Sequence, residues 1–289
     1  MPTPPRRPDR PNRPDRPDRP DRRPQRPTGR SGPARAGRPE RPSRPDAAMA
    51  PRSPRRDGAD DAPRRPRLAE PELPTDIDPR ELDRDARAEL RSLPESLAER
   101  VAVHLIAAGR AIDEDPALAR RHAWYARSLA PRLAIVREAA GVTAYADGDF
   151  AAALAELRAV RRMTGDPAQL PLLADCERGL GRPDRALALG RDPDVKKLEP
   201  AARVELAIVL SGARRDRKEY DAAVVGLQGL ALDDPQVQPW TVRLWYAYAD
   251  ALLDAGRVGE ARRWFESVVD IDDEEETDAV ERLAALPAD

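Results

Sequence analysis

The sequence predicts an all-α protein built from repeated helix pairs, and three observations lead to this prediction. Apolar and small side chains recur at helical spacing through residues 242–275. Gly256 divides that segment, and a residue just past a helix end usually takes a left-handed conformation that glycine adopts freely. Segments of similar pattern begin upstream near residues 100, 134, 167 and 204. Recurrence at a period of about 20 to 50 residues is typical of helical arrays.

The segment 242–275 resembles a tetratricopeptide repeat, an antiparallel helix pair with small residues where its two helices touch. Counted from Val242, the residues that carry the resemblance are Trp245 at position 4, Ala249 at 8, Leu252 at 11, Gly256 at 15, Ala261 at 20 and Phe265 at 24. Three residues depart from the family pattern: Tyr248 at position 7, Val268 at 27 and Asp273 at 32. The resemblance implies an α-solenoid, in which successive helix pairs stack side by side.

On this template the chain holds five repeats, near residues 100–133, 134–166, 167–203, 204–241 and 242–275. Small residues fall where the two helices of each pair cross: Ala107, Gly141, Ala174, Ser211 and Ala249 at position 8, and Ala119, Ala153, Ala186, Ala223 and Ala261 at position 20. The first repeat turns at Asp115-Pro116 instead of at a glycine. Because one pair cannot cover its own apolar face, neighbouring pairs must stack.

The two ends of such a stack need capping helices, which are predicted at residues 79–93 and 278–286. Asp78 suits the N-cap of the first, and Pro79 suits its first helical position, where the missing N–H is not needed. The second follows the acidic run 272–276, and acidic residues favour a helix N-terminus electrostatically.

Residues 1–70 are predicted to form a disordered tail rich in arginine and proline. Residues 1–67 hold 20 arginines against nine acidic residues, a net charge of +11, and the remaining residues carry −13. Within residues 9–21 arginine and proline recur at every third position, which is the period of polyproline II. Nothing apolar is available there to offset the entropic cost of ordering the chain.

The positive charge of the tail is concentrated in residues 22–56, which carry 11 arginines against two acidic residues. Such a run could neutralise several phosphates and bind RNA or DNA without sequence preference. The candidate arginines are Arg22, Arg23, Arg26, Arg30, Arg35, Arg38, Arg41 and Arg44. No aromatic residue in the tail can stack on bases, so a solubilising or spacing role is the competing interpretation. If translation starts at Met49 instead of Met1, most of the tail is not made.

Composition and motifs exclude several classes of function. The one cysteine, Cys176, allows no intramolecular disulfide, and no apolar stretch is long enough to span a bilayer, so a cytoplasmic location is expected. His104 and His122 are the only histidines and lack metal-site spacing. No phosphate-binding loop or nucleophile motif occurs. We therefore expect no cofactor, metal, membrane contact, small-molecule substrate or enzymatic activity.

The resemblance also implies a binding groove, because proteins of this family bind ligands along the first helix of each repeat, chiefly through positions 2, 5, 9 and 12. Carried over residue by residue, these positions give His104, Glu138, Tyr145, Asp175, Arg178, Glu205, Arg215, Arg243, Tyr246, Asp250 and Leu253. The lysines and asparagines that chaperone-binding members need are missing. The charge of the body favours a basic or mixed peptide, unless these side chains merely solvate an exposed face.

Two functions remain open at this point. The first is a non-enzymatic protein–protein interaction scaffold that presents a groove to a protein or peptide of unknown identity. The second is an RNA- or ribosome-associated protein in which the tail supplies nonspecific nucleic-acid affinity. In a third possibility the tail folds back onto the acidic body as a pseudo-ligand. Through the stretches 71–109 and 165–187, the body resembles uncharacterised tetratricopeptide-like proteins of actinobacteria over about residues 71–289, a likeness that implies no activity.

Overall fold

The computed structural model describes residues 68–230, 232 and 236–287, which all belong to one compact unit, Pro63–Asp289. This part of the chain contains twelve α-helices and no strand, so the predicted all-α class is confirmed. The helices are α1 Arg84–Leu90, α2 Glu95–Ala111, α3 Pro116–Leu129, α4 Ala134–Ala146, α5 Phe150–Thr164, α6 Leu170–Gly179, α7 Pro183–Leu189, α8 Pro200–Asp216, α9 Tyr220–Gln228, α10 Thr241–Asp254, α11 Val258–Val269 and α12 Ala279–Ala285. The predicted tail lies outside the described residues, apart from residues 68–70.

Helices α2 to α11 pack as five consecutive pairs, and each pair also contacts the next one along the chain. The pairs are α2 with α3, α4 with α5, α6 with α7, α8 with α9, and α10 with α11. They overlap the five predicted repeat segments, although α2 begins five residues before the first segment. A 3-10 turn at Pro193–Lys197 follows the short α7.

The turn inside four of the five pairs contains one residue in the left-handed conformation. Gly148 with φ 77° and Gly256 with φ 75° occupy this place in two pairs, as the sequence predicts for a helix-terminating glycine. Lys218 takes the same conformation, with φ 61°, between α8 and α9. A side chain is strained there, since its Cβ lies too close to the following carbonyl oxygen.

The small residues at the predicted crossings are all buried. Alanine at position 20 has no exposed surface in any pair, as shown by Ala119, Ala153, Ala186, Ala223 and Ala261. Gly141 shows why size matters, because a Cβ added to it would lie 2.8 Å from Cγ of Leu157 on α5. Small residues therefore set how closely the two helices of a pair approach.

The buried apolar side chains form clusters that bridge neighbouring pairs. One cluster joins Val101 and Leu105 of α2 to Val136 of α4, and another joins Leu170 of α6 to Leu206 of α8. The largest extends from Val204 of α8 to Ala279 of α12 and contains Phe265, which has no exposed surface. In that cluster the ring of Trp264 packs edge-on against the rings of Trp245 and Tyr248, with centroids 5.5 and 5.2 Å away. The core thus runs from pair to pair and holds the array together.

The predicted N-terminal cap is wrong as a single helix over residues 79–93. Asp78 does cap a helical segment, but this segment is a 3-10 turn, Pro79–Glu81, closed by a capping box between Asp78 and Glu81. Asp83 then caps α1 by accepting hydrogen bonds from the backbone of Asp85 and Ala86, both at 2.9 Å. A second strong N-cap residue four positions after a proline-initiated turn divides the segment in two. At the other end, α12 ends one residue before the predicted limit.

No helix within the described residues is both long enough and apolar enough to cross a lipid bilayer.

Replacing Lys218 by glycine is expected to raise the free energy of unfolding by about 0.5–1 kcal/mol, because glycine adopts the left-handed conformation without the Cβ clash. Urea unfolding of both proteins measures the difference. Lys218→Ala is the matched control, since it removes the charge and keeps the clash, and it should leave stability nearly unchanged. Equal stabilisation by both substitutions would show that the charge of the lysine, and not its backbone conformation, is the cause.

Candidate functional site

The first helices of successive pairs are linked by hydrogen bonds between polar side chains, and most of the predicted groove residues take part. The hydroxyl of Tyr145 on α4 donates to Asp175 on α6. Asp175 also accepts from Arg178, at 2.9 Å, and Nε of Arg178 donates to Asp216 on α8 at 2.8 Å. Tyr145, Asp175 and Arg178 therefore form one polar chain across three pairs.

A second group of ion pairs joins α8 to α10. Arg215 donates to Asp250 at 3.1 Å and to Asp254 at 2.6 Å. Arg243 donates to Glu205 at 2.7 Å, from α10 back to α8. All four predicted residues of this group lie together.

The segment after the last pair closes this surface at its C-terminal side. The hydroxyl of Tyr246 donates to Asp278, which immediately precedes α12. Asp250 accepts a further hydrogen bond from Arg282 on α12. Helix α12 is thereby tied to α10 through two side chains that the sequence assigns to the groove.

A cavity of about 420 Å³ lies between the two groups of ion pairs. Small residues make the space: Gly212 lies beneath the guanidinium of Arg178, where an added Cβ would be 2.8 Å from Cζ, and Ala247 faces the cavity from α10. The polar lining combines both charges: Arg178, Arg215, Arg243, Asp250, Glu276 and Asp278, together with Tyr246. Such a lining suits a ligand of mixed charge.

Partial burial changes the ionisation of this surface. Burial raises the pKa of the Glu205 carboxyl, although the nearby Arg243 acts in the opposite direction. Burial and the hydrogen bond to Asp278 both raise the pKa of the Tyr246 hydroxyl, which therefore stays neutral and donates. The site consequently holds a neutral hydroxyl beside its arginines and carboxyl groups.

Two predicted groove residues, Glu138 and Leu253, lie elsewhere on the same helices. Glu138 accepts from the side-chain amide of Gln169, at 3.1 Å, and so links α4 to the turn before α6. Leu253 is partly buried against the core of the last two pairs.

His104 is not a groove residue, because its side chain has no exposed surface. Its Nδ1 lies 2.9 Å from Nδ1 of His122 on α3, and its ring packs against Tyr125 at 4.6 Å between centroids. His104 therefore faces the partner helix of its own pair. The first pair has no turn glycine from which the positions of the repeat can be counted. An error of one residue in that count rotates a helical side chain by about 100°.

The histidine pair also anchors residues that the sequence assigns to the tail. Glu70 accepts from Nε2 of His104 at 3.2 Å and from Nε of Arg100 at 3.0 Å. The hydrogen bond from Arg100 is the main reason that the pKa of Glu70 falls to about 2. Residues 68–70 therefore lie against α2 and α3, although the sequence assigns them to the tail.

The remaining chemistry-bearing residue that the sequence singles out is Cys176. Cys176 is fully buried in α6, and burial raises the pKa of its thiol to about 12, which keeps it protonated. Within the part of the chain that the structure describes, no group of three or more His, Cys, Asp or Glu side chains could hold a metal ion.

No protein-family model matches the chain, and no curated protein matches it. The interpretation of the surface therefore depends on its residues alone.

The candidate site includes residues that the sequence analysis missed, namely Asp216, Asp254, Asp278 and Arg282. Asp254 follows Asp250 by one helical turn, so its place on the same face could have been predicted. Asp278 and Arg282 belong to the capping segment, and only the packing of α12 brings them to α10.

Stability is expected to fall as the pH is lowered from 7.5 to 5.5. Desolvation lowers the pKa of both His104 and His122. The unfolded chain then binds more protons than the folded chain once the pH falls below the unfolded value of about 6.5. The stabilisation that comes from keeping both histidines neutral is complete above that pH and is lost below it. The free energy of unfolding then falls by at most about 1.4 kcal/mol per pH unit for each histidine. Urea unfolding at several pH values measures this slope.

The control for the pH series is the double variant His104→Gln and His122→Gln, in which no side chain of the pair titrates. Its overall stability will differ, but its slope between pH 7.5 and 5.5 should be flatter than that of the wild type. Equal slopes would assign the pH dependence to other groups.

Proposed function

We propose that the helix pairs form a tetratricopeptide-like α-solenoid that acts as a non-enzymatic protein–protein interaction scaffold. The observation that carries the proposal is the cavity between α8 and α10. It combines three arginines, a neutral tyrosine hydroxyl and an apolar floor formed by Ile208 and Ala247. Concave sites in which several polar groups converge beside apolar surface are typical of ligand-binding surfaces.

The partner that fits is an extended peptide segment carrying an acidic residue near an apolar one. The side chain of Arg243 is 56% exposed and engages Glu205 through a single nitrogen, so it retains free N–H donors for a carboxylate or a backbone carbonyl. An apolar side chain of the ligand would contact Ile208 and Ala247. Asp250, Glu276 and Asp278, which also line the cavity, favour a basic residue elsewhere in the same segment.

Rigidity supports this function. The ion pairs between neighbouring pairs hold α8 and α10 at a fixed spacing before any ligand arrives, and Asp250 is held from both sides by Arg215 and Arg282. A preorganised surface loses less conformational entropy on binding. In this proposal binding is noncovalent, and the protein works in the cytoplasm.

Selection of peptides from a random library on the full-length protein tests the groove. We expect the selected peptides to bind Arg243→Ala at least about tenfold more weakly, as is common for a central arginine in an interface. The matched control is Arg263→Ala, because Arg263 is exposed on α11 and bonds only to the carbonyl of Gly259. Peptides that bind both variants equally well would contradict the proposal.

A second candidate function, RNA association, rests on the charge of residues 22–56. If the tail neutralises about four to six phosphates of a single strand, the logarithm of the binding constant should fall with the logarithm of salt concentration at a slope of about −3 to −4. Filter binding of the full-length protein measures the slope. Replacing the eight candidate arginines by glutamine should abolish binding, whereas replacing them by lysine should preserve the slope. Binding that survives the glutamine substitutions would exclude the tail as the RNA contact.

A further inference from the structure

Four arginines line one side of a cavity at the N-terminal end of the described chain. Arg80 lies in the first 3-10 turn, and Arg84, Arg87 and Arg91 follow on or just after α1 at helical spacing. The cavity has a volume of about 650 Å³, and its other wall is α2. Leu90 and Leu93 contribute apolar surface between the arginines and α2. We refer to this site as the arginine cavity.

The arginines of this cavity have no acidic partner among the described residues, although most arginines on the first helices of the pairs do. Three acidic residues close to them in sequence are engaged elsewhere: Asp83 accepts from the backbone of α1 at 2.9 Å, Glu81 accepts from Arg110 at 2.7 Å, and Glu89 accepts from the backbone N–H of Ile135 at 3.2 Å. All four arginines are exposed. Like charges one helical turn apart repel each other, so this arrangement favours an acidic occupant.

The opposite end of the described chain carries a matching surface, which we call the acidic edge. It consists of exposed acidic residues beside two exposed valines, Val269 and Val280. The acidic residues are Asp270, Asp273, Glu274, Glu275 and Glu281, and none has a basic partner within the part of the chain that the structure describes. Helix α12 packs on α11 and presents Val280 and Glu281 to solvent.

We propose that copies of this chain associate head to tail, with the acidic edge of one copy seated in the arginine cavity of the next. The carboxylates would pair with Arg84, Arg87 and Arg91, and the valines would contact Leu90 and Leu93. The two surfaces are different patches of the same chain, so the contact leaves one of each unused and can propagate into open chains. This inference goes beyond the groove, because neither surface contains a groove residue.

A nucleic acid fits the arginine cavity less well than the acidic edge does. No aromatic side chain lines the cavity to stack on a base. The apolar floor has no counterpart on a phosphate backbone, whereas it matches the exposed valines.

Sedimentation velocity of the full-length protein over a concentration series tests the proposal. At low salt we expect concentration-dependent association, and we expect it to weaken on the order of tenfold when salt rises to several hundred millimolar, because surface charges are then screened. The cavity variant carries Arg84→Gln, Arg87→Gln and Arg91→Gln and should stay monomeric. Its matched control carries Arg132→Gln, Arg162→Gln and Arg185→Gln at exposed arginines elsewhere and should associate as the wild type does.

The edge variant, with Asp273→Asn, Glu274→Gln and Glu281→Gln, should also stay monomeric. A mixture of the cavity and edge variants should form one-to-one complexes and nothing larger, because only one functional contact is then available. A wild type that is monomeric at every concentration would overturn the proposal. Association that the cavity variant retains and the edge variant loses would also overturn it, because the contact would then belong to the arginine tail. A protein that does not self-associate, and whose cavity variant loses RNA binding, would overturn it as well.

Discussion

The close crossing of two helices at small side chains is the constraint on which the rest of this structure depends. The alanine at each crossing has no exposed surface, and at Gly141 even one extra carbon would collide with Leu157. This fixed separation makes every pair similar in thickness. As a result, the first helices of successive pairs lie close enough for side-chain hydrogen bonds of 2.6 to 3.1 Å to connect α8 with α10.

Much of the helical architecture could be predicted from the sequence, because small residues and turn residues act locally. Alanine at a crossing lets two helices approach closely, and glycine after a helix end adopts the left-handed conformation. The recurrence of these residues therefore marks the helix pairs. The prediction was wrong at residues 79–93, where two N-cap residues, Asp78 and Asp83, compete within one segment. Lys218 gave no turn signal, because a residue with a Cβ rarely takes the left-handed conformation that Lys218 adopts between α8 and α9.

The candidate site was predicted less completely, because a surface depends on orientation as well as on composition. Tyr145, Asp175 and Arg178 come together in the structure, and so do Arg215 and Asp250. His104 does not join them, because its side chain faces α3. Its position in the repeat was counted without a turn glycine as a reference. The partners Asp278 and Arg282 lie in a capping segment whose contacts arise only through tertiary packing. Local patterns thus locate the helices, whereas the polar partners between them require the folded chain.

The buried position of Cys176 gives this protein an internal reporter of its own opening. The thiol lies at the centre of α6, has no exposed surface and is held in its protonated form. Only a thiolate in contact with solvent reacts readily with an alkylating reagent. Since the chain has no second cysteine, the rate of alkylation under native conditions follows the opening of one helix in the middle of the array, with no contribution from its ends.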